Sequence, residues 1–248
     1  MMSVRDLAAA NFERHLKQNA YPGRGLVVGR SSVEAAWLMV YWIMGRSAHS
    51  RNRRFVIEGS TLRTAPVDLN QVEDPSLIIY DAMLELPGIY LVGNGDQVRT
   101  VYDALQTGGQ FDAALATREC EPDAPNFTPR ISAMLDLKTS AASLSLNILK
   151  ANPANPEATD RFTYRPAAPP AGFGLCLTTY LGDGNPLPSF SGEPLLLPVE
   201  GSADQVLDTY WNALDADNRL AVAVKQIPQN SRASTLLLHN RHESALSP

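Results

Sequence analysis

The sequence predicts an α+β protein of mostly antiparallel sheets covered by helices. Short apolar runs rich in Val, Ile, Trp and Tyr follow one another at hairpin-like spacing, and helical periodicity is collected in a few segments. Neither a Gly-x-Gly-x-x-Gly turn after a strand nor a Walker loop is present. A doubly wound nucleotide fold and the two commonest phosphate cradles are therefore excluded on sequence.

The elements follow in chain order. Ser3 precedes Val4, Leu7, Ala8, Phe12 and Leu16 at helical spacing, with Asp6 three residues after it, which predicts a capped helix over 4–18 that Tyr21-Pro-Gly23 ends. Apolar runs at 25–29, 35–44, 55–58, 77–83 and 89–92 read as strands separated by Gly, Pro, Asn or Ser. Asn94-Gly95-Asp96 then turns into a helix whose apolar face is Val98, Val101, Tyr102 and Leu105, and a second helix covers 111–117. Beyond the acidic loop 119–125, strands are expected at 131–137, 142–149, 161–164 and 173–181. The tract 181–194 reads as a long, stiffened loop, and such loops inside compact domains often carry function. A helix over 203–214 presents Val206, Tyr210 and Leu214 on one side, and strands at 220–227 and 233–238 close the chain. The Pro-rich tracts 152–156 and 166–170 are too short to divide it. One domain, 1–248, is expected, with 1–20 as an N-terminal helical extension and 239–248 as a poorly ordered polar tail.

Composition narrows the function. With 248 residues, 44% of them hydrophobic, the chain can bury a large core. Lys and Arg total 21 against 26 Asp and Glu, so the net charge of -5 argues against nucleic acid as a partner and requires any anion site to be local. Cys120 and Cys176 stand far apart with no further Cys or His at metal spacing, which disfavours a disulfide framework and a structural zinc and fits a reducing compartment. The first residues run into an amphipathic pattern instead of an apolar signal core, and no apolar run approaches the roughly 18 residues of a membrane span. A cytoplasmic protein without a membrane partner is expected.

The segment 46–54 combines Arg46, Arg51, Arg53 and Arg54 with Ser47, Ser50 and Asn52, between two apolar segments that read as adjacent strands. Guanidinium forks match phosphate oxygens in a bidentate way, and Ser and Asn add neutral donors. In isolation such a cluster is more often a solvated hairpin turn. Arg24 and Arg30 bracket a strand nearby, so several guanidinium groups could converge on one anion. Glu119, Glu121 and Asp123 lie in a loop beside Thr128 and Arg130, where a carboxylate could serve as general base, although a lone surface carboxylate more often only solubilises. His15, His49, His239 and His242 form no triad with a serine in a nucleophile elbow, since Gly-x-Ser-x-Gly is absent. Tyr80 and Tyr180 lie at or near strand ends, where a phenol could donate to a developing oxyanion, although interfacial packing is the commoner use.

Taken together, Tyr21-Pro-Gly-Arg-Gly25, Gly29-Arg30, Tyr41-Trp-Ile-Met-Gly-Arg-Ser47 with Ser50-Arg-Asn-Arg53, Ile79-Tyr80, Asn94-Gly-Asp96, Asn126-Phe-Thr-Pro-Arg-Ile131 and Thr178-Thr-Tyr180 with Gly182-Asp-Gly184 resemble the archaeal-type IMP cyclohydrolase family and its bacterial relatives. Their order and number carry the match. The helix before Tyr21 and the tract 183–194 exceed the compact archaeal pattern and bring the chain nearer the longer bacterial branch. The resemblance implies a four-layer αββα sandwich like that of the N-terminal nucleophile hydrolases. Ser3, ahead of a predicted helix, does not suit covalent catalysis from a processed first residue. It further implies closure of the purine ring of 5-formamidoimidazole-4-carboxamide ribonucleotide to IMP and water, with no metal or redox cofactor. Carried over by motif, Arg24, Arg30, Arg46 and Arg53, with Ser47 and Asn52 from the same turn, bind phosphate and substrate, while Asn94, Asp96, Thr128 and Arg130 place the base. Tyr80 and Glu121 or Asp123 transfer protons, with Asn94 beside them, and Tyr180 and Asp183 close the pocket. In the segment 46–54, Arg46 and Arg53 are the stronger phosphate ligands and Arg54 is expected to be solvated. The partner is then a small purine nucleotide or its precursor, bound by a homo-oligomer. Two other readings remain open: a related cyclic-amidine or amide hydrolase on another phosphorylated heterocycle, and a non-catalytic purine-nucleotide-binding protein.

Overall fold

Nine consecutive buried residues, Ala36–Met44, form β2, the strand around which the molecule is organised. Side chains alternate across a strand, so Trp37, Met39, Tyr41 and Ile43 enter one apolar cluster while Leu38, Val40, Trp42 and Met44 enter another. Only a strand covered on both faces reads as a continuous apolar run. In the computed structural model, which describes residues 2–72, 78–139, 141–230 and 233–242, β2 lies in a six-stranded sheet with β1 (Gly25–Arg30), β10 (Phe173–Thr178), β11 (Leu195–Pro198), β12 (Arg219–Pro228) and β13 (Thr235–Asn240), in the order β11-β10-β1-β2-β12-β13. The second sheet has seven strands in chain order: β3 (Arg54–Glu58), β4 (Thr61–Ala65), β5 (Asp81–Leu86), β6 (Ile89–Gly93), β7 (Arg130–Asp136), β8 (Ser143–Ala151) and β9 (Thr159–Tyr164). All the strand pairings are antiparallel.

Three apolar clusters define the stacking. The largest lies between the sheets, where Leu26, Met39, Tyr41 and Ala223 meet Phe55, Leu62, Met83, Val92, Ile131 and Leu146. On the outer face of the first sheet, Phe12 and Leu16, Val206, Leu207 and Tyr210 pack on Val40, Trp42, Cys176 and Val224. These come from α1 (Val4–Phe12), which continues as a π-helical turn to Lys17, and from α5 (Ala203–Ala213), and the two helices meet where Phe12 stands edge-on to Tyr210. On the outer face of the second sheet, Val98 and Val101 of α3 (Gln97–Gln106) and Phe111 and Leu115 of α4 (Phe111–Leu115) cover Leu84, Leu91 and Met134. Each such side chain contributes about 1.5–3 kcal/mol on burial. The result is α+β with two antiparallel sheets face to face and helices outside them, consistent with the expected sandwich.

Several expectations are corrected. The strands β2 and β3 belong to different sheets, so 46–54 is a crossover and not a hairpin turn, and it contains the short helix α2 (Ala48–Arg51) capped by Ser47. β4 and β11 were not expected, and β5 starts at Asp81 whereas the run was read from 77, which lies outside the described residues. His239 and Asn240 belong to β13 and not to a tail: His239 Nε2 lies 2.8 Å from Asp208, and the Asn240 amide exchanges hydrogen bonds with the Phe55 backbone at 2.8 and 2.9 Å. Residues 243–248 of the expected tail lie outside the described residues. Among the described residues, no helix is long and apolar enough to cross a membrane.

Candidate active site

A cleft of ≈ 310 Å³ opens where the start of β1, the end of β2, α2 and two long loops come together, lined by Tyr21, Arg24, Arg46, Arg53, Glu121 and Tyr180 among others. Its geometry begins with a turn. Gly23 has φ +72°, and a Cβ there would collide with the Thr179 hydroxyl and the Tyr180 ring, so only glycine fits. Its carbonyl is held by Trp42 Nε1 at 3.0 Å. The turn sets Tyr21 in a stack with Tyr180, centroids 6.0 Å apart, and Arg46 lies over the Tyr21 ring at 4.8 Å.

Arg24 follows directly and is 7% exposed. Its guanidinium donates to the Glu121 carboxylate and to the Asn94 carbonyl, both at 2.8 Å. Burial opposes the charge, but the charge of Glu121 and its hydrogen bond outweigh it, and the Arg24 pKa stands well above the ordinary arginine value. The acidic loop is folded on itself: Glu121 N–H donates to the Thr128 carbonyl at 3.0 Å, and Asp123 accepts from the Thr128 N–H at 2.6 Å and from its hydroxyl. The Thr128 hydroxyl also lies 2.6 Å from the Tyr180 hydroxyl. Burial pushes the Tyr180 phenol up to about 12, so it is neutral at physiological pH.

The basic wall comes from the crossover. Arg53, 7% exposed, donates to the Ser50 and Met44 carbonyls at 2.8 and 2.9 Å and thereby fixes α2 against the end of β2. Arg46 stands at the rim, bonded to the Asp183 carboxylate and to the Gly184 carbonyl. Ser47 caps α2 in a reciprocal capping box with Ser50.

Of the residues singled out from sequence, the cleft brings together Arg24, Arg46, Ser47, Arg53, Glu121, Asp123, Thr128 and Tyr180. The others stand elsewhere. Arg30 ends β1 about 20 Å from Arg24, six residues along an extended strand, and packs on Trp37. Asn52 lies behind the crossover, its amide bonded to the backbone of Val67 and Asp68. Asn94, fully buried, holds the Pro129 carbonyl and the Ile131 N–H at 2.8 Å each and so fixes the start of β7 behind Arg24. Asp96 pairs with Arg118 and with Arg130, away from the cleft lining. Tyr80 lies in the core between the sheets, its hydroxyl 2.7 Å from that of Tyr41. Asp183 is bonded to Arg46 at the rim and does not itself line the cleft. Arg54 lies in β3 and is half-buried, which corrects the expectation of a solvated side chain.

Ser50, read from sequence as a neutral donor of the segment 46–54, also lines the cleft, and sequence reasoning missed three further polar lining residues, Tyr21, His49 and Asn126. Tyr21 and Asn126 stand inside the quoted motifs, and reading those motifs residue by residue would have found them. Asn126 accepts from the Leu187 N–H at 3.0 Å and so ties the acidic loop to the 181–194 loop. His49, set aside for want of a triad, has a buried Nδ1 with no hydrogen-bond partner. Among the described residues, no group of three or more His, Cys, Asp or Glu is placed to hold a metal ion.

Three guanidinium groups, two carboxylates and a neutral phenol at one end of an antiparallel sandwich define a small-molecule site that can hold an anion and move a proton. The chain belongs to the IMP cyclohydrolase-like protein family, whose model matches residues 21–231. The match begins at Tyr21, the first lining residue, and leaves α1 outside it although α1 is packed into the core. A search among curated proteins finds no match to the chain.

Proposed function

We propose that the chain closes the purine ring of 5-formamidoimidazole-4-carboxamide ribonucleotide, giving IMP and water, as a cytoplasmic enzyme of purine biosynthesis. The observation that carries this is the meeting of Arg24, Arg46 and Arg53 with Glu121, Asp123 and Tyr180 around one cleft in a chain of this family. The helix–sheet–sheet–helix stacking supports the N-terminal nucleophile hydrolase-like fold that goes with this reading.

The reaction needs few groups. The carboxamide nitrogen attacks the formyl carbon and loses one proton; the tetrahedral carbinolamine then expels the formyl oxygen as water while the formamido nitrogen loses its own proton. The protein's part is to press the amide against the formyl group, accept the first proton and hold the developing oxyanion. Arg46 and Arg53 bind the 5′-phosphate, with Ser47 and Ser50 as neutral donors, and the phosphate takes the place of Asp183 on Arg46. Arg24, locked by Glu121, presents a fixed positive charge to the developing oxyanion. The acidic loop supplies the proton acceptor.

Purified protein incubated with the formamido ribonucleotide and followed by ultraviolet absorbance tests the proposal, with IMP as the expected product. Tight IMP binding without any IMP formed would sink the enzyme reading in favour of a nucleotide-binding protein.

A further inference from the structure

We propose that Tyr180 is the catalytic residue that takes the carboxamide proton and that its own proton passes through Thr128 to Asp123. The inference rests on the ring-closing reading and names the path that reading leaves open.

The direction of the chain follows from counting hydrogens. A carboxylate only accepts, and Asp123 accepts twice from Thr128, from its N–H and from its hydroxyl. The one hydroxyl hydrogen of Thr128 is therefore used on Asp123. Its contact of 2.6 Å with Tyr180 must then run from the tyrosine O–H. Tyr180 has spent its only hydrogen, so its oxygen offers the cleft lone pairs and not a donor. All three residues line that cleft. Glu121 differs because one carboxylate oxygen is held by Arg24, and Tyr80 differs because its hydroxyl turns to Tyr41 between the sheets.

The step balances without a co-reactant. As the carboxamide nitrogen forms its bond to the formyl carbon, its proton moves to the Tyr180 oxygen, the Tyr180 proton moves to Thr128 Oγ1, and the Thr128 proton moves to Asp123. The formyl C=O π pair becomes the oxyanion. The reverse shift returns one proton to that oxygen, which leaves as water with the proton lost by the formamido nitrogen. Burial keeps the Tyr180 phenol protonated up to a pH of about 12, so it works by gaining a proton as it loses one and not as a stored phenolate.

The test compares Tyr180→Phe, Thr128→Val and Thr128→Ser in single turnovers of the formamido ribonucleotide. Tyr180→Phe and Thr128→Val should each lower the rate about 100-fold or more with KM little changed, as expected for loss of proton transfer. Thr128→Ser keeps the relaying hydroxyl and should recover most of the rate that Thr128→Val loses, and the Tyr180→Phe, Thr128→Val double variant should be no slower than Tyr180→Phe alone. The wild-type rate in mixed light and heavy water should curve with isotope fraction because several protons move together, a readout that needs no variant to fold. A Thr128→Val enzyme as fast as wild type, a Thr128→Ser enzyme as slow as Thr128→Val, or a linear wild-type dependence would overturn the relay while ring closure stands. A wild-type chain that forms no IMP would overturn both.

Discussion

Arg24 and Glu121 form an ion pair at 2.8 Å with side chains only 8% and 7% exposed. The pair lies where the two sheets' ends meet, because Arg24 directly precedes β1 and also donates to the carbonyl of Asn94, which directly follows β6.

Removing one partner of such a pair leaves a buried charge without compensation. Arg24→Ala should therefore lose about 3–5 kcal/mol of stability, read from urea denaturation. A loss below about 1 kcal/mol, the scale of an exposed pair, would mean that water reaches Glu121.

Arg46 is the cation most available to a ligand, being at the rim, where it bonds Asp183 and Gly184 and lies over the Tyr21 ring. Arg46→Ala should raise the KM for the formamido ribonucleotide by about 10-fold to 100-fold, the scale of a lost charge-assisted hydrogen bond, with kcat changed much less. Steady-state kinetics check this, and an unchanged KM would remove Arg46 from phosphate binding.

The buried phenols predict an alkaline limit. Burial raises the pKa of Tyr180 from 10.0 to about 12 and pushes those of Tyr41 and Tyr210 well above the usual value. A folded pKa above the unfolded one means the folded chain keeps protons that the unfolded chain has lost, so this stability is whole below the unfolded value and drains as pH rises through the folded one. The melting temperature should fall steeply above about pH 10, and Tyr180→Phe should make that fall shallower. An equal slope in the variant would assign the effect to other groups.

Asn52 closes the segment behind the crossover by accepting the Val67 and Asp68 N–H groups at 3.1 and 2.7 Å and donating to the Asp68 carbonyl at 2.7 Å. Asn52→Ala should cost about 1–3 kcal/mol by leaving these groups unpaired, with KM nearly unchanged. A large rise in KM without loss of stability would restore Asn52 as a substrate ligand.

The contrast between Asn52 and Arg46 shows what was legible in the sequence. Period, run length and punctuation marked Ser3, Ala36–Met44 and Ala203–Ala213 because a cap, a strand covered on both faces and a helix with one apolar face leave those signs. β4 and β11 left none: in Thr61-Leu-Arg-Thr-Ala65 the two buried positions are Leu62 and the polar Thr64, so burial alternates without an apolar alternation to show it, and Leu195–Pro198 is only four residues long. Adjacent runs suggested a hairpin at 46–54, but which sheet a strand joins depends on partners distant in the chain, and β3 begins a new sheet. The site was visible as a set of motifs, since the cleft lies where Arg24, Glu121, Thr128 and Tyr180 meet. Side-chain direction was not visible, so Arg30, at the far end of β1, and Asn94, turned to the backbone of β7, stood on equal terms with Arg24 and Thr128.

The most direct measurement is a crystal structure of the chain with IMP. The expected complex has the 5′-phosphate within hydrogen-bond distance of Arg46 and Arg53 and the amide edge of the purine against Tyr180. A nucleotide bound outside this cleft, or a phosphate that leaves Arg46 paired with Asp183, would contradict it.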